Sequence, residues 1–330
     1  MRRQRQSGGR LGEAALAIDL STSVSSLELP NPVMTASGTA GHGAELQAYF
    51  DLSAIGAVVV KSLSAGPSEG NPSPRVCPVP GGMLNSVGLQ GPGVAIWAAE
   101  ELPALEATGA RVIVSLWGRR VEEFERAARA LADELAARQS RAVVAIEVNV
   151  SCPNLEDRSK MFAHSAQATA EAVVACRAAG LPLIAKLSPN TPELVDIAAA
   201  ALQAGAESLT LVNTLLGLAI DVETRRPVLG AVGGGLSGPA LHSVALRAVY
   251  ECRRAFPTAG ILGVGGISDG DGALRMLMAG ADAVEVGTAT LANPRAPLIV
   301  LTDLRRSLAR VGASSVREIV GAAQKEEPPE

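Results

Sequence analysis

The chain has 330 residues, 48% of them hydrophobic, 19% charged and 2% aromatic, and it carries a formal net charge of -4. A mildly acidic chain so poor in aromatics lacks the basic face of a nucleic-acid binder and the stacking platform of a single-strand binder. Its four cysteines (Cys77, Cys152, Cys176, Cys252) lie far apart with no C-x-x-C pair, and His42, His164 and His242 form no metal pattern, so neither a zinc site nor a disulfide framework is expected.

Residues 1–12 and 324–330 read as flexible tails around one domain spanning 13–323. The start, Met1-Arg2-Arg3-Gln4-Arg5, leads into Ser-Gly-Gly rather than an apolar core, and no apolar run reaches the roughly 18 residues of a membrane span. A cytoplasmic protein is the expectation. The segment 25–34 predicts a small hairpin across the bottom of the fold. Eight short strands follow in turn: Ala57–Lys61, a weak one at Met83–Val87, Val112–Leu116, Val144–Asn149, Leu183–Leu187, Ser208–Asn213, Gly260–Val264 and Ala283–Gly287. Helical stretches fall between them at 121–138, 167–179, 192–204, 239–255, 270–279 and 294–311. Near-continuous apolar strands alternating with helices imply a parallel sheet covered on both faces. Eight such units match a (β/α)8 TIM barrel, whose usual size is about 250 residues, with a doubly wound sheet as the alternative.

Polar groups terminate these apolar strands: Lys61, Asn85, Ser115, Asn149 with Cys152 just beyond, Lys186, Asn213 with Thr214, Gly265-Gly266, and Gly287-Thr288. Each alone reads as turn chemistry. Converging on the C-terminal face of one barrel, where barrel enzymes place their catalytic groups, they point to an active site. The glycine-rich turns Gly233–Gly238 and Gly263–Ser268 each precede a helix and suit a phosphate. Gly263-Val264-Gly265-Gly266 fails the G-x-G-x-x-G spacing of a dinucleotide site. Cys77, Cys176 and Cys252 read as small buried hydrophobes, whereas Cys152 sits on a loop among hydrogen-bonding neighbours. As a base it needs nearby positive charge, because a free thiol ionises near pH ~8.5. Lys186 is also the best position for a Schiff-base lysine of an aldolase.

Taken as a set, several strings resemble class 1 dihydroorotate dehydrogenases from about residue 24 to about residue 312, in family order. They are Ala36-Ser37-Gly38, Lys61-Ser62, Gly70-Asn71-Pro72-Ser73-Pro74-Arg75, Asn85-Ser86-Val87-Gly88-Leu89-Gln90 and Asn149-Val150-Ser151-Cys152-Pro153-Asn154. Lys186-Leu187-Ser188-Pro189-Asn190, Asn213-Thr214 and Gly234-Gly235-Leu236-Ser237-Gly238-Pro239 complete the set. Gly88-Leu89-Gln90 and Asn213-Thr214-Leu215 look more like the NAD-linked class 1B catalytic subunit than the fumarate-linked class 1A enzyme.

The resemblance implies an FMN-binding barrel that oxidises dihydroorotate to orotate in pyrimidine (UMP) biosynthesis. Flavin contacts would come from Ser37, Lys61, Ser62, Ser115, Asn149, Lys186, Val212, Gly238, Gly265, Gly266, Gly287 and Thr288. Lys61, Asn85, Ser86, Val87, Gly88, Leu89, Asn149, Asn213 and Thr214 would hold the substrate. Cys152 would act as base, with Lys61 and Lys186 completing the catalytic set. It further implies a homodimer and a separate FAD/iron–sulfur subunit, since the chain has no cysteine cluster and no NAD fingerprint of its own. A dihydropyrimidine dehydrogenase-like flavoenzyme is a further alternative. Two departures stand out: Ser115 occupies a position where the family usually has Asn, and the loop Leu155–Phe162 lacks the family's glycines.

Overall fold

The computed structural model describes residues 18–151 and 161–325. A hairpin opens the described chain, β1 (Thr22–Val24) and β2 (Leu27–Leu29), followed by β3 (Val33–Thr35) and β4 (Val58–Val59). Next come β5 (Val76–Val79), β6 (Gly82–Asn85), β7 (Val112–Leu116), β8 (Val143–Asn149), β9 (Leu183–Leu187) and β10 (Ser208–Leu211). The last strands are β11 (Leu215–Gly217), β12 (Ile220–Asp221), β13 (Arg226–Pro227), β14 (Gly234–Ser237), β15 (Gly260–Val264) and β16 (Ala283–Val286).

Eight of these form a parallel sheet in the order β3-β16-β15-β10-β9-β8-β7-β4. The two end strands meet. Gly56 N donates to Val33 O at 2.7 Å, Thr35 N to Ala57 O at 3.3 Å, and Val59 N to the Thr35 hydroxyl at 2.9 Å. The sheet therefore closes into the (β/α)8 barrel, which removes the open doubly wound alternative. One strand changes identity. The second barrel strand is β4, the first is Val33–Thr35, and Met83–Val87 instead belongs to an antiparallel sheet in the order β11-β14-β6-β5. The reason is burial: of β6 only Leu84 is sealed from solvent, while every residue of the three-residue β3 is buried behind Pro30 and Pro32.

Side-chain alternation layers the interior. Met34, Ala57, Val59, Ile113, Ala145, Ile184, Leu262 and Ala283 fill its lower part against Val24, Leu27 and Leu29 of the hairpin, which is thus the expected bottom plug. Two residues further along the same faces stand Lys61, Ser115, Glu147, Lys186 and Glu285. The outward set, including Val112, Val114, Ile146, Val148, Leu183 and Val284, packs under the helices.

The helix Val121–Arg138 illustrates the pattern. Phe124, Ala127, Ala128, Leu131 and Leu135 recur at three- and four-residue spacing and are buried. Glu122 and Glu123 begin the helix and Arg138 ends it, each with favourable sign for the helix dipole. Its C-cap Gln139 turns left-handed at φ 55. The expected helix at 270–279 is also seen, as Gly270–Ala279, started by Asp269 accepting from Gly272 N at 2.7 Å. Helices Val94–Glu100, Leu102–Thr108 and Thr288–Ala292 had no counterpart in the sequence reading. Gln324 donates to Tyr250 O and Ala279 O, both at 2.9 Å. Among the described residues no helix is long and apolar enough to cross a membrane.

Candidate active site

The C-terminal mouth of the barrel is built on a charged floor. Lys186 leaves β9 toward the interior and is 4% exposed. Its Nζ lies 3.1 Å from Ser37 Oγ, 3.3 Å from Glu147 Oε2 and 3.1 Å from Glu285 Oε2. Both carboxyls are fully buried, and Thr210 donates its hydroxyl to Glu147 Oε2 at 3.2 Å. Burial alone would lower the Lys186 pKa, but Glu147 and Glu285 outweigh it and hold the ammonium above its ordinary value. Such a lysine stays charged, the opposite of what a Schiff-base nucleophile requires.

One wall is a relay of hydroxyls and amides. Ser62 and Ser115 share a hydrogen bond at 2.8 Å, Asn149 Nδ2 donates to Ser62 Oγ at 3.1 Å, and Asn213 Nδ2 reaches Asn149 Oδ1 at 3.4 Å. Four strands or their ends thus meet. Ser115 is fully buried and bound to Ser62, so its shorter side chain reaches the mouth only through that hydroxyl. Replacing Ser115 by Ala should leave Ser62 short of a partner and cost about 1–3 kcal/mol. Denaturant titration would read that loss; an unchanged midpoint would show that the relay carries nothing.

Over the mouth lies the antiparallel sheet, made from the excursions that leave β4 and β10. Asn85 donates to Gly235 O at 3.2 Å. Ser86 accepts from Asn71 Nδ2 at 2.8 Å, and Asn71 N donates to Val87 O at 3.0 Å. Gly88 has φ +74, and a Cβ there would lie 2.4 Å from Asn71 N, so only glycine fits this crossing. Leu89 is also left-handed, at φ 56. Lys61 is half-buried; burial first and Arg75 second hold its pKa below the ordinary lysine value. Thr214 N donates to Asn213 Oδ1 at 2.8 Å, and Asn190 Nδ2 to Thr214 O at 2.9 Å.

The glycine turns converge on the other side. A Cβ on Gly266 (φ +67) would lie 2.8 Å from Gly238 O, and one on Gly265 would lie 2.6 Å from Ala245 Cβ. These turns therefore keep bare backbone, as an approaching phosphate needs. His242 Nδ1 is 2.9 Å from Gly265 O, and Thr288 donates to Ser237 Oγ at 2.8 Å, joining the loops after β14, β15 and β16. Gly287 sits against Ala36, next to Ser37. Val212 is buried, its N donating to Val264 O at 2.9 Å.

Cys152 lies outside the described residues, as does most of the loop Leu155–Phe162. The other three cysteines are buried, and burial with the Glu251 charge pushes the Cys252 thiol up to about 12, so it is inert. Glu147, Glu285 and Thr210 escaped the sequence reading, and Ser237 entered it only as part of the turn Gly233–Gly238. Their signal was present: a Glu inside Val-Ala-Ile-Glu-Val-Asn or Ala-Val-Glu-Val-Gly has no apolar reason to be there.

A closed parallel barrel gathers a buried lysine, amides, hydroxyls and bare glycine turns at its mouth, where α/β-barrel enzymes place their active sites. Residues 19–308 match the family described as dihydroorotate dehydrogenase, and the chain belongs to that family of oxidoreductases. It is 45% identical over 307 residues to a protein of Geotalea daltonii named "Dihydroorotate dehydrogenase B (NAD(+)), catalytic subunit", covering 92% of this chain and 98% of that one. A protein of the same name from Geotalea uraniireducens is 44% identical over 305 residues, with 92% and 98% covered. One from Trichlorobacter lovleyi is 43% identical over 308 residues, again with 92% and 98% covered.

Proposed function

We propose that this chain oxidises (S)-dihydroorotate to orotate on a bound FMN, as the catalytic subunit of an NAD-linked enzyme of pyrimidine biosynthesis. One observation carries the reading within the family: the ammonium of Lys186, clamped beneath Ser37 and close to the Ser62–Asn149 relay at the barrel mouth. The residues fit FMN. Lys186, Ser37, Lys61, Ser62, Ser115, Asn149 and Val212 would line its ring, with Ser115 acting through Ser62. Gly238, Gly265, Gly266, Gly287 and Thr288 would take its phosphate.

Lys61, Asn149, Asn213, Thr214 and the segment Asn85–Leu89 would hold the substrate, since asparagine offers both a donor and an acceptor to a pyrimidine edge and to a carboxylate. Cys152 takes the proton from C5 of the substrate. FMN, when bound, supplies the acceptor for the hydride that leaves C6. Lys186 places positive charge where negative charge develops.

The relatives' shared name favours NAD over fumarate as the distant acceptor, and the words "catalytic subunit" favour a second subunit, for which an FAD/iron–sulfur protein is the proposal. A homodimer is supported by an aliphatic stretch left in solvent on the excursion after β10: Leu216, Leu218, Ile220 and Val222 are all more than half exposed. The test is a purified chain assayed with dihydroorotate and an artificial electron acceptor. Orotate formation by protein carrying stoichiometric FMN is expected, and a flavin-free protein that binds no FMN would overturn the reading.

A further inference from the structure

Lys186 does not stand alone beneath the mouth. Glu147 enters from β8, next to β9, and Glu285 from β16, across the barrel interior. Each offers Oε2 to the ammonium, and each keeps a buried Oε1 without a hydrogen-bond partner among the described residues. With every group ionised, this sealed interior would carry one excess negative charge, which is costly without solvent. The cluster is neutral only when one carboxyl keeps a proton. Burial pushes Glu285 up to about 8 despite the pull of Lys186, with Glu147 adding repulsion, so Glu285 is that carboxyl near neutrality.

We propose that Glu147 and Glu285 are positioning residues that act through Lys186: they clamp its ammonium below Ser37, and the protonation of the three groups as a unit sets how electropositive the floor of the flavin pocket is. The inference rests on the reading of the mouth as an FMN pocket. Carboxyl–lysine geometry carries it. A lysine with one carboxylate is already neutralised, so a second fully buried carboxyl on the same Nζ is surplus to pairing. What the surplus adds is a protonatable site within contact of the lysine whose ammonium holds Ser37.

Among the described residues, the groups facing Glu285 are few. Lys186 from β9 and Glu147 from β8 are the charged ones, and β10 presents the hydroxyl of Thr210 to Glu147. Its sheet partners are Met34 on β3 and Val264 on β15, neither of which titrates. Losing the Glu285 proton makes the floor more negative and disfavours added electrons at the pocket.

The test is the midpoint potential of bound FMN between about pH 6 and about pH 10 in the wild type, Glu285→Gln and Glu147→Gln, the interval spanning the titration of a carboxyl raised into this range. Each Gln variant keeps one carboxylate on Lys186 and cannot acquire the excess charge. Its potential should therefore fall less steeply with pH, with the gap above the wild type widening toward alkaline pH. Two variants on different strands guard against a local folding defect in one. Curves that run parallel to the wild type in both variants overturn the inference and leave the FMN reading intact. A wild-type chain that takes up no FMN overturns that reading instead, and the inference with it.

Discussion

Lys186→Met should cost the chain about 3–5 kcal/mol, because breaking a buried ion pair from one side strands the remaining charge. Here two carboxyls are stranded, both fully buried and both bound to the same Nζ. Met keeps the length and apolar volume of the side chain, so the loss isolates charge from packing. The rate of flavin reduction by dihydroorotate should drop by about 10²–10³-fold, the effect of removing one preorganised electrostatic contact from a water-poor site. Adding Glu147→Gln and Glu285→Gln to Lys186→Met removes all three ionisable groups. Stability should then recover while the rate does not, since contacting groups are not additive. Urea midpoints together with rapid-mixing rates check both halves. A Lys186→Met protein as stable as the wild type would show that the clamp carries no energy.

The second large effect is expected at Cys152. Removing a positioned general base typically costs about 10²–10⁴-fold, and Cys152→Ala should slow flavin reduction by that range at neutral pH. FMN content should not change, because Cys152 is not among the residues assigned to the flavin. In the wild type the rate should rise with pH toward the thiol's own ionisation, ordinarily near ~8.5, and the Ala variant should lose that rise. Equal reduction rates in the two proteins would remove Cys152 from the chemistry.

Most of the barrel was legible because its strands are apolar on both faces and end in polar groups, a pattern that survives without tertiary information. Val112–Leu116 and Leu183–Leu187 match their sequence bounds for that reason. Val33–Thr35 was hidden because three residues between a proline and a turn carry almost no periodicity. Met83–Val87 misled because a half-exposed strand and a short buried one look alike over so few residues. At the site, residues at strand ends were readable, since their polarity interrupts an apolar run at a boundary. Glu147 and Glu285 interrupt theirs from within. Alternation assigns them to the inward face, but only the closed barrel brings β8 and β16 onto one lysine. The Ser62–Ser115–Asn149 relay is likewise a product of three strands meeting, and no local spacing announces it.

In the proposed function, dihydroorotate gives up its electrons to a flavin held at this mouth. The direct measurement is the visible absorbance of the purified protein under anaerobic conditions, followed while dihydroorotate is added. The flavin band should bleach, with orotate appearing in equal amount. A bound FMN that stays oxidised in the presence of excess dihydroorotate would contradict the account.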